Sequence, residues 1–260
     1  MDTIPLICRL VHDGTSRLSL SFSNDIDFTE EVLKTNIIQT SIIELSLEQG
    51  NVNVLETSRS LDCLLHFKHL VHLNIMGCKL RGSLGALNHM QIGLKIVRLA
   101  DCLLINSDLE ELIGSCHQLT LEQLELDNNQ FSYDSDVKVW NKLCQNLINT
   151  QILSLSHCDI LTLWPSSNIE DLFYSFNSMP KLMMLDLREC YHNTDIIQVN
   201  ALVLSKSPSL RMLKLSVPLS LIKLEVSEDM VRSFCQQMNE KINNLRSQVL
   251  YIDFEYQWRI

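Results

Sequence analysis

Glycine and proline are scarce in this chain, with seven and five among 260 residues. Neither Gly-x-x-x-x-Gly-Lys-Ser/Thr nor Gly-x-Gly-x-x-Gly occurs, so the glycine-rich loops that cradle nucleotide phosphates are missing. Basic residues are also in deficit: 21 Lys and Arg face 31 Asp and Glu, a net charge of −10. Phosphate binding needs a basic surface to release counterions, so no nucleic acid is expected as a partner. No apolar run approaches the roughly 18 residues that cross a bilayer, and Met1 to Arg9 shows no basic stretch followed by a long apolar one. A soluble chain of the cytoplasm or nucleus is expected, with no membrane partner. CxxC pairs are absent although nine Cys are present, which points to reduced, buried thiols rather than a disulfide framework.

What the chain does have is apolar material, 46% of its residues, arranged with a long period. The pattern Leu-x-x-Leu-x-Leu-x-x-(Cys/Asn) is clearest at Leu70 to Cys78, Leu94 to Cys102 and Leu121 to Asn129. It recurs at Leu153 to Cys158, Leu182 to Cys190 and Leu210 to Leu215, with degenerate copies at Leu18/Leu20 and Ile42/Leu45/Leu47. The second leucine-type positions fall at 20, 47, 75, 99, 126, 155, 187 and 215, giving steps of 27, 28, 24, 27, 29, 32 and 28 residues. In a strand the two residues of Leu-x-Leu point to one side and the residue between them to the other. One unit cannot bury its leucines alone, so neighbours must stack. The ladder positions Cys78, Cys102, Asn129, Cys158 and Cys190 can face inward and hydrogen-bond to the loop backbone, which explains these four cysteines without redox chemistry.

The step lengths favour long repeats with a helix between strands over short repeats with 3₁₀ turns. Ser107-Asp108-Leu109-Glu110 and Ser167-Asn168-Ile169-Glu170 read as capping boxes. Val139, Trp140, Leu143, Cys144 and Leu147 form an apolar helical stripe, as do Val199, Leu202 and Val203. Near the end, Ser227-Glu228-Asp229 is expected to cap a long helix with Met230, Phe234, Met238, Ile242 and Leu245 on one face, followed by a strand over Val249 to Phe254. The predicted fold is α/β: a leucine-rich-repeat solenoid, or horseshoe, with parallel strands on the concave face and helices on the convex face. The repeats would span residues 1–226 and a capping helix and strand 227–260.

Strand, helix and ladder cysteine together resemble the ribonuclease-inhibitor-like superfamily over nearly the whole chain. The segment from Ser205-Lys206-Ser207-Pro208 through Val217-Pro218-Leu219, leading into a long helix and a last strand, resembles the C-terminal half of the PRAME family of leucine-rich-repeat proteins. That resemblance implies an adaptor role, including substrate recognition for cullin-type ubiquitin ligases, with ligase subunits as partners. The box through which the family meets its ligase has the form small-Leu-x-x-x-Cys-x-x-x-aliphatic. Pro5-Leu6-Ile7-Cys8 and Ser60-Leu61-Asp62-Cys63 begin like it but place the Cys too early.

No constellation of acid, base and nucleophile emerges, so no enzyme, catalytic residue, cofactor or metal is expected. Cys116-His117 with Cys102 does not complete the four ligands of a zinc site. His157 and Cys158 are adjacent in a turn, where neighbouring side chains point apart. The expected functional surface is the concave one, where a protein partner would meet Glu44, Glu48, Asn74, Arg98, Glu125, Asp127, Asp186, Arg188 and Lys214, with Met76, Ile96, Ile152, Met184 and Met212 as apolar points. A monomer is expected. The alternative reading is a ribonuclease-inhibitor-like protein whose acidic surface occupies a basic enzyme.

Overall fold

The computed structural model describes residues 15–22, 41–49, 61–90, 93–116, 120–131, 137–158, 166–190, 209–216, 228–243 and 251–255. The chain divides into two compact units, Met1–Glu125 and Leu126–Ile260. Unit 1 contains strands β1 (Arg17–Phe22), β2 (Glu44–Gln49), β3 (His72–Met76), β4 (Ile96–Ala100) and β5 (Gln123–Glu125), each parallel to the next in chain order. Unit 2 contains β6 (Ile152–Ser154), β7 (Met184–Asp186), β8 (Met212–Ser216) and β9 (Tyr251–Glu255), also parallel and in order. This is an α/β arrangement of parallel strands in chain order with helical segments between them.

The repeat leucines explain the strands. Leu45, Leu73, Val97 and Leu124 in unit 1, and Leu153, Leu185 and Leu213 in unit 2, have no exposed surface. Each stacks on its register partner in the next strand. Burying such a side chain stabilises by about 1.5–3 kcal/mol, which is shared between neighbours and so ties the repeats together.

Among the described residues, α-helices fill four of the crossings between strands: α1 (Asn106–Cys116), α2 (Val137–Asn146), α3 (Ser166–Asn177) and α4 (Glu228–Asn243). In α2, Trp140, Leu143 and Cys144 are fully buried, and Phe131 meets Trp140 edge to face at 5.5 Å. In α3, Leu172, Phe173 and Phe176 are fully buried. The stripe expected at Val199, Leu202 and Val203 lies outside the described residues.

Two expectations fail locally. Unit 1 uses 3₁₀ segments at Leu61–His66 and Leu84–His89 where helices were expected. The second sits in the shortest step, where Gly82, Gly85 and Gly93 add poor helix propensity to a tight connection. The Ser107 capping box is also displaced, because α1 begins at Asn106. Fully buried Asp108 turns back and accepts the Ile105 N–H at 2.7 Å and the Gly82 N–H at 2.6 Å. One carboxylate thus caps its own helix and the turn of the preceding repeat. α3 likewise begins at Ser166 rather than after a Ser167 cap.

Candidate functional site

Five strands, β3 to β7, end in the same turn. Gly77, Asp101, Asn128, His157 and Glu189 all have φ between 54° and 71°, and each directly precedes a ladder residue. This left-handed residue swings the chain away from the sheet and aims the following side chain inward. The non-glycine members carry a conformational cost of about 1 kcal/mol each, offset by the bonds the turn makes. In unit 1 the Gly77 N–H donates to Ala100 O at 3.1 Å. In unit 2 the Asn128 N–H donates to Ser156 O at 2.8 Å and the His157 N–H to Arg188 O at 2.7 Å.

The ladder itself is present. Cys102 Sγ donates to Ile75 O at 3.4 Å, Cys158 Sγ to Leu126 O at 3.1 Å and Cys190 Sγ to Leu155 O at 2.7 Å, each a carbonyl of the preceding repeat. Asn129 Nδ2 donates to Leu126 O at 2.8 Å and Asp127 O at 3.2 Å. Burial pushes the Cys78 thiol up to about 11. Cys102 and Cys190 are raised further, first by burial and then by the neighbouring thiols Cys78 and Cys158. These thiols stay protonated, so they are poor nucleophiles. His157 is exposed while Cys158 is fully buried, and the two do not face each other. Among the described residues no group of three or more His, Cys, Asp or Glu could hold a metal ion, and no helix is long and apolar enough to cross a membrane.

The residues expected on the binding surface divide between the units. Glu44, Glu48, Asn74, Arg98 and Glu125 belong to unit 1, where parallel register stacks the outward side chains into rows. The first row is Arg17, Glu44, His72, Ile96 and Gln123, and the second is Ser19, Ser46, Asn74, Arg98 and Glu125. A third holds Glu48, Met76 and Ala100. Arg17 Nε lies 2.9 Å from Glu44 Oε2, with His72 Nδ1 at 3.8 Å from the same oxygen. Arg98 Nε lies 3.0 Å from Glu125 Oε2, Gln123 Nε2 donates to Glu125 Oε1, and Asn74 Nδ2 donates to Ser46 Oγ at 2.8 Å. Glu48 is exposed, and Met76 beside it is 38% exposed.

Asp127, Asp186, Arg188 and Lys214 belong to unit 2 and are placed differently. Asp127 is not in a strand but in the turn after it, where it accepts the Ser154 hydroxyl at 2.6 Å and the Ser156 N–H at 2.9 Å. Asp186 is only 2% exposed. It takes a bidentate pair from Arg188 at 2.7 and 2.9 Å, with Lys214 Nζ at 3.7 Å. Ser154, Ser156 and Ser216 are buried on the same face, and Ser216 Oγ both accepts the Glu189 N–H and donates to Glu189 Oε1. The two aspartates therefore serve the fold of unit 2, although strand parity alone marks both of them as outward. Arg17 and Asp108 were not singled out from the sequence. Arg17 shares the parity of Glu44 in a degenerate repeat, whereas nothing local signals the reach of Asp108 to Gly82.

No protein-family model matches this chain, and no curated protein matches it. Among solved structures, the tropomodulin C-terminal domain from Caenorhabditis elegans is similar at 9% identity and a TM-score of 0.35, covering 86% of this chain and 98% of that one. A likeness of that size carries no argument.

Proposed function

We propose that this chain is an intracellular leucine-rich-repeat solenoid that binds a partner protein through the outward face of its strands, with the working patch in unit 1. The observation that carries the reading is the grid of rows on β1 to β5: polar and charged side chains held in register on rigid strands, with Met76 exposed among them. Sites on regular elements are positioned more sharply than sites on loops. An apolar anchor with a polar, partly ion-paired surround is how protein interfaces are built. Two arginines against the three glutamates Glu44, Glu48 and Glu125 leave the patch close to neutral, which suits a protein better than a polyanion. The buried thiols Cys78, Cys102, Cys144, Cys158 and Cys190, none of them in a disulfide, fit a reducing compartment.

The experiment is affinity purification of the full chain from cell lysate against the Met76→Glu/Arg98→Glu variant, with circular dichroism confirming that both are folded. Loss of the captured partner in the variant is expected, and an unchanged partner set removes the assignment of this face. Substrate recognition for a cullin-type ubiquitin ligase is the specific form that the resemblance of residues 205–219 suggests. It requires elongin and cullin subunits among the captured proteins, and their absence rejects that form while leaving the face intact.

A further inference from the structure

The N-terminal ends of the strands in unit 2 form an edge whose chemistry departs from that of the chain. The register aligns Ile152, Met184 and Met212 across β6, β7 and β8, each half-buried, and Tyr251 holds the next position on β9. One step before the strands, backbone bonds at 2.8–2.9 Å run from Met183 and Met184 N–H to Gln151 O, and from Arg211 and Met212 N–H to Met183 O. Lys181 Nζ reaches Asn149 Oδ1 at 2.8 Å and so joins the loop carrying Ile148 to this edge. Met183 is 48% and Ile148 56% exposed.

Charge separates the edge from its surroundings. Residues 148–152, 180–184 and 209–212 contain Lys181 and Arg211, both exposed, and no carboxylate, in a chain whose net charge is −10. Among the described residues of β6 to β9, the first carboxylates lie one row further along, at Asp186 and Asp253. Asp186 is buried against Arg188 and Lys214 and presents no negative surface.

We infer that this edge docks a short acidic peptide segment of a partner protein in which carboxylates alternate with bulky apolar side chains. The methionines supply an adaptable apolar floor, and the two cations meet the carboxylates. Neighbouring strands are about 4.8 Å apart, so the row from β6 to β8 spans roughly the length of three extended residues. The inference extends the protein-binding reading to a second surface, and its test does not depend on the first.

The probe is a fluorescein-labelled twelve-residue peptide of alternating Glu and Leu, titrated with the full chain and followed by anisotropy. Saturable binding is expected, weakened at least about tenfold by Lys181→Glu/Arg211→Glu and by raising salt from about 50 to 500 mM. Met183→Ser should weaken it through the apolar contact alone. A Lys/Leu peptide should not bind, whereas Met76→Glu/Arg98→Glu should bind the Glu/Leu peptide normally. No saturable binding, equal binding by the Lys/Leu peptide, or indifference to Lys181→Glu/Arg211→Glu in a folded protein overturns the inference. So does a dimer in sedimentation that these edge variants abolish while the peptide fails to bind, since a second copy would then be the occupant.

Discussion

The outward faces of units 1 and 2 occupy equivalent positions of one repeat yet hold their charges in opposite ways. In unit 1 the ion pairs lie on the surface: Arg17 and Glu44 side chains are 77% and 36% exposed, and Arg98 and Glu125 are 44% and 23% exposed. In unit 2 the central carboxylate, Asp186, is 3% exposed and is bonded to the side chain and N–H of Arg188. Exposed pairs contribute little to stability and remain free to exchange protein for solvent or partner. A buried, saturated carboxylate is costly to disturb and has little left to offer a ligand. Outward parity in a strand is therefore a statement about direction, and accessibility is a separate matter decided by neighbours.

The sharpest way to break this comparison is Asp186→Ala, expected to cost about 3 kcal/mol because it strands the Arg188 and Lys214 charges in a mostly closed site. Urea unfolding should show a lower midpoint at unchanged slope, and a loss below about 1 kcal/mol would erase the contrast. Slightly smaller, about 2–3 kcal/mol, is the expected cost of Asp108→Ala, which orphans the Gly82 and Ile105 N–H groups. Asp108→Asn should recover part of that loss by keeping an acceptor, showing that unit 1 also depends on a buried carboxylate, but away from its face.

The ladder gives a pH test. Folding raises the Cys78 thiol from 9.0 to about 11, so the native state holds the proton more tightly than the unfolded chain. Its contribution is complete below about 9 and disappears as pH rises through about 11. Alkaline unfolding should therefore include a Cys78-dependent loss in that window, absent in Cys78→Ser, and thiolate absorbance from Cys78 should appear only near its upper end. The smallest effect belongs to the exposed pairs. A double-mutant cycle on Arg98 and Glu125 should give a coupling of about 0.5 kcal/mol that fades with salt, and Arg17 with Glu44 should give less. A coupling above about 2 kcal/mol in either pair would mean that the unit 1 face is as closed as that of unit 2.

Much of this was legible in the residues. Leu-x-Leu spacing placed β3, β4, β6, β7 and β8, and the inward Cys/Asn ladder followed from a polar or thiol group recurring three residues after the last strand leucine. The helix positions were readable wherever a period of about 3.6 ran for two turns, as at Trp140, Leu143 and Leu147. Leu84–His89 was not, because a six-residue 3₁₀ segment leaves too short a stretch for the period to show. Of the expected surface, Glu44, Glu48, Asn74, Arg98 and Glu125 lie where parity put them. Parity put Asp127 and Asp186 there as well, but it does not register that Asp127 is half-buried and bonded to Ser154 and Ser156, 27 and 29 positions away, or that Asp186 is buried against Arg188 and Lys214.

By itself, the order of residues determined that leucines must stack from repeat to repeat, that strands run parallel, and that thiols and Asn129 face inward, since these follow from local periodicity and the need to bury apolar surface. The tertiary structure alone decided which charges are surface and which are scaffold. Asp108 and Asp186 have local partners in the Ile105 N–H and Arg188, but each is shared between repeats only when folding brings the Gly82 N–H or the Lys214 ammonium within reach, and no spacing within one repeat encodes that meeting.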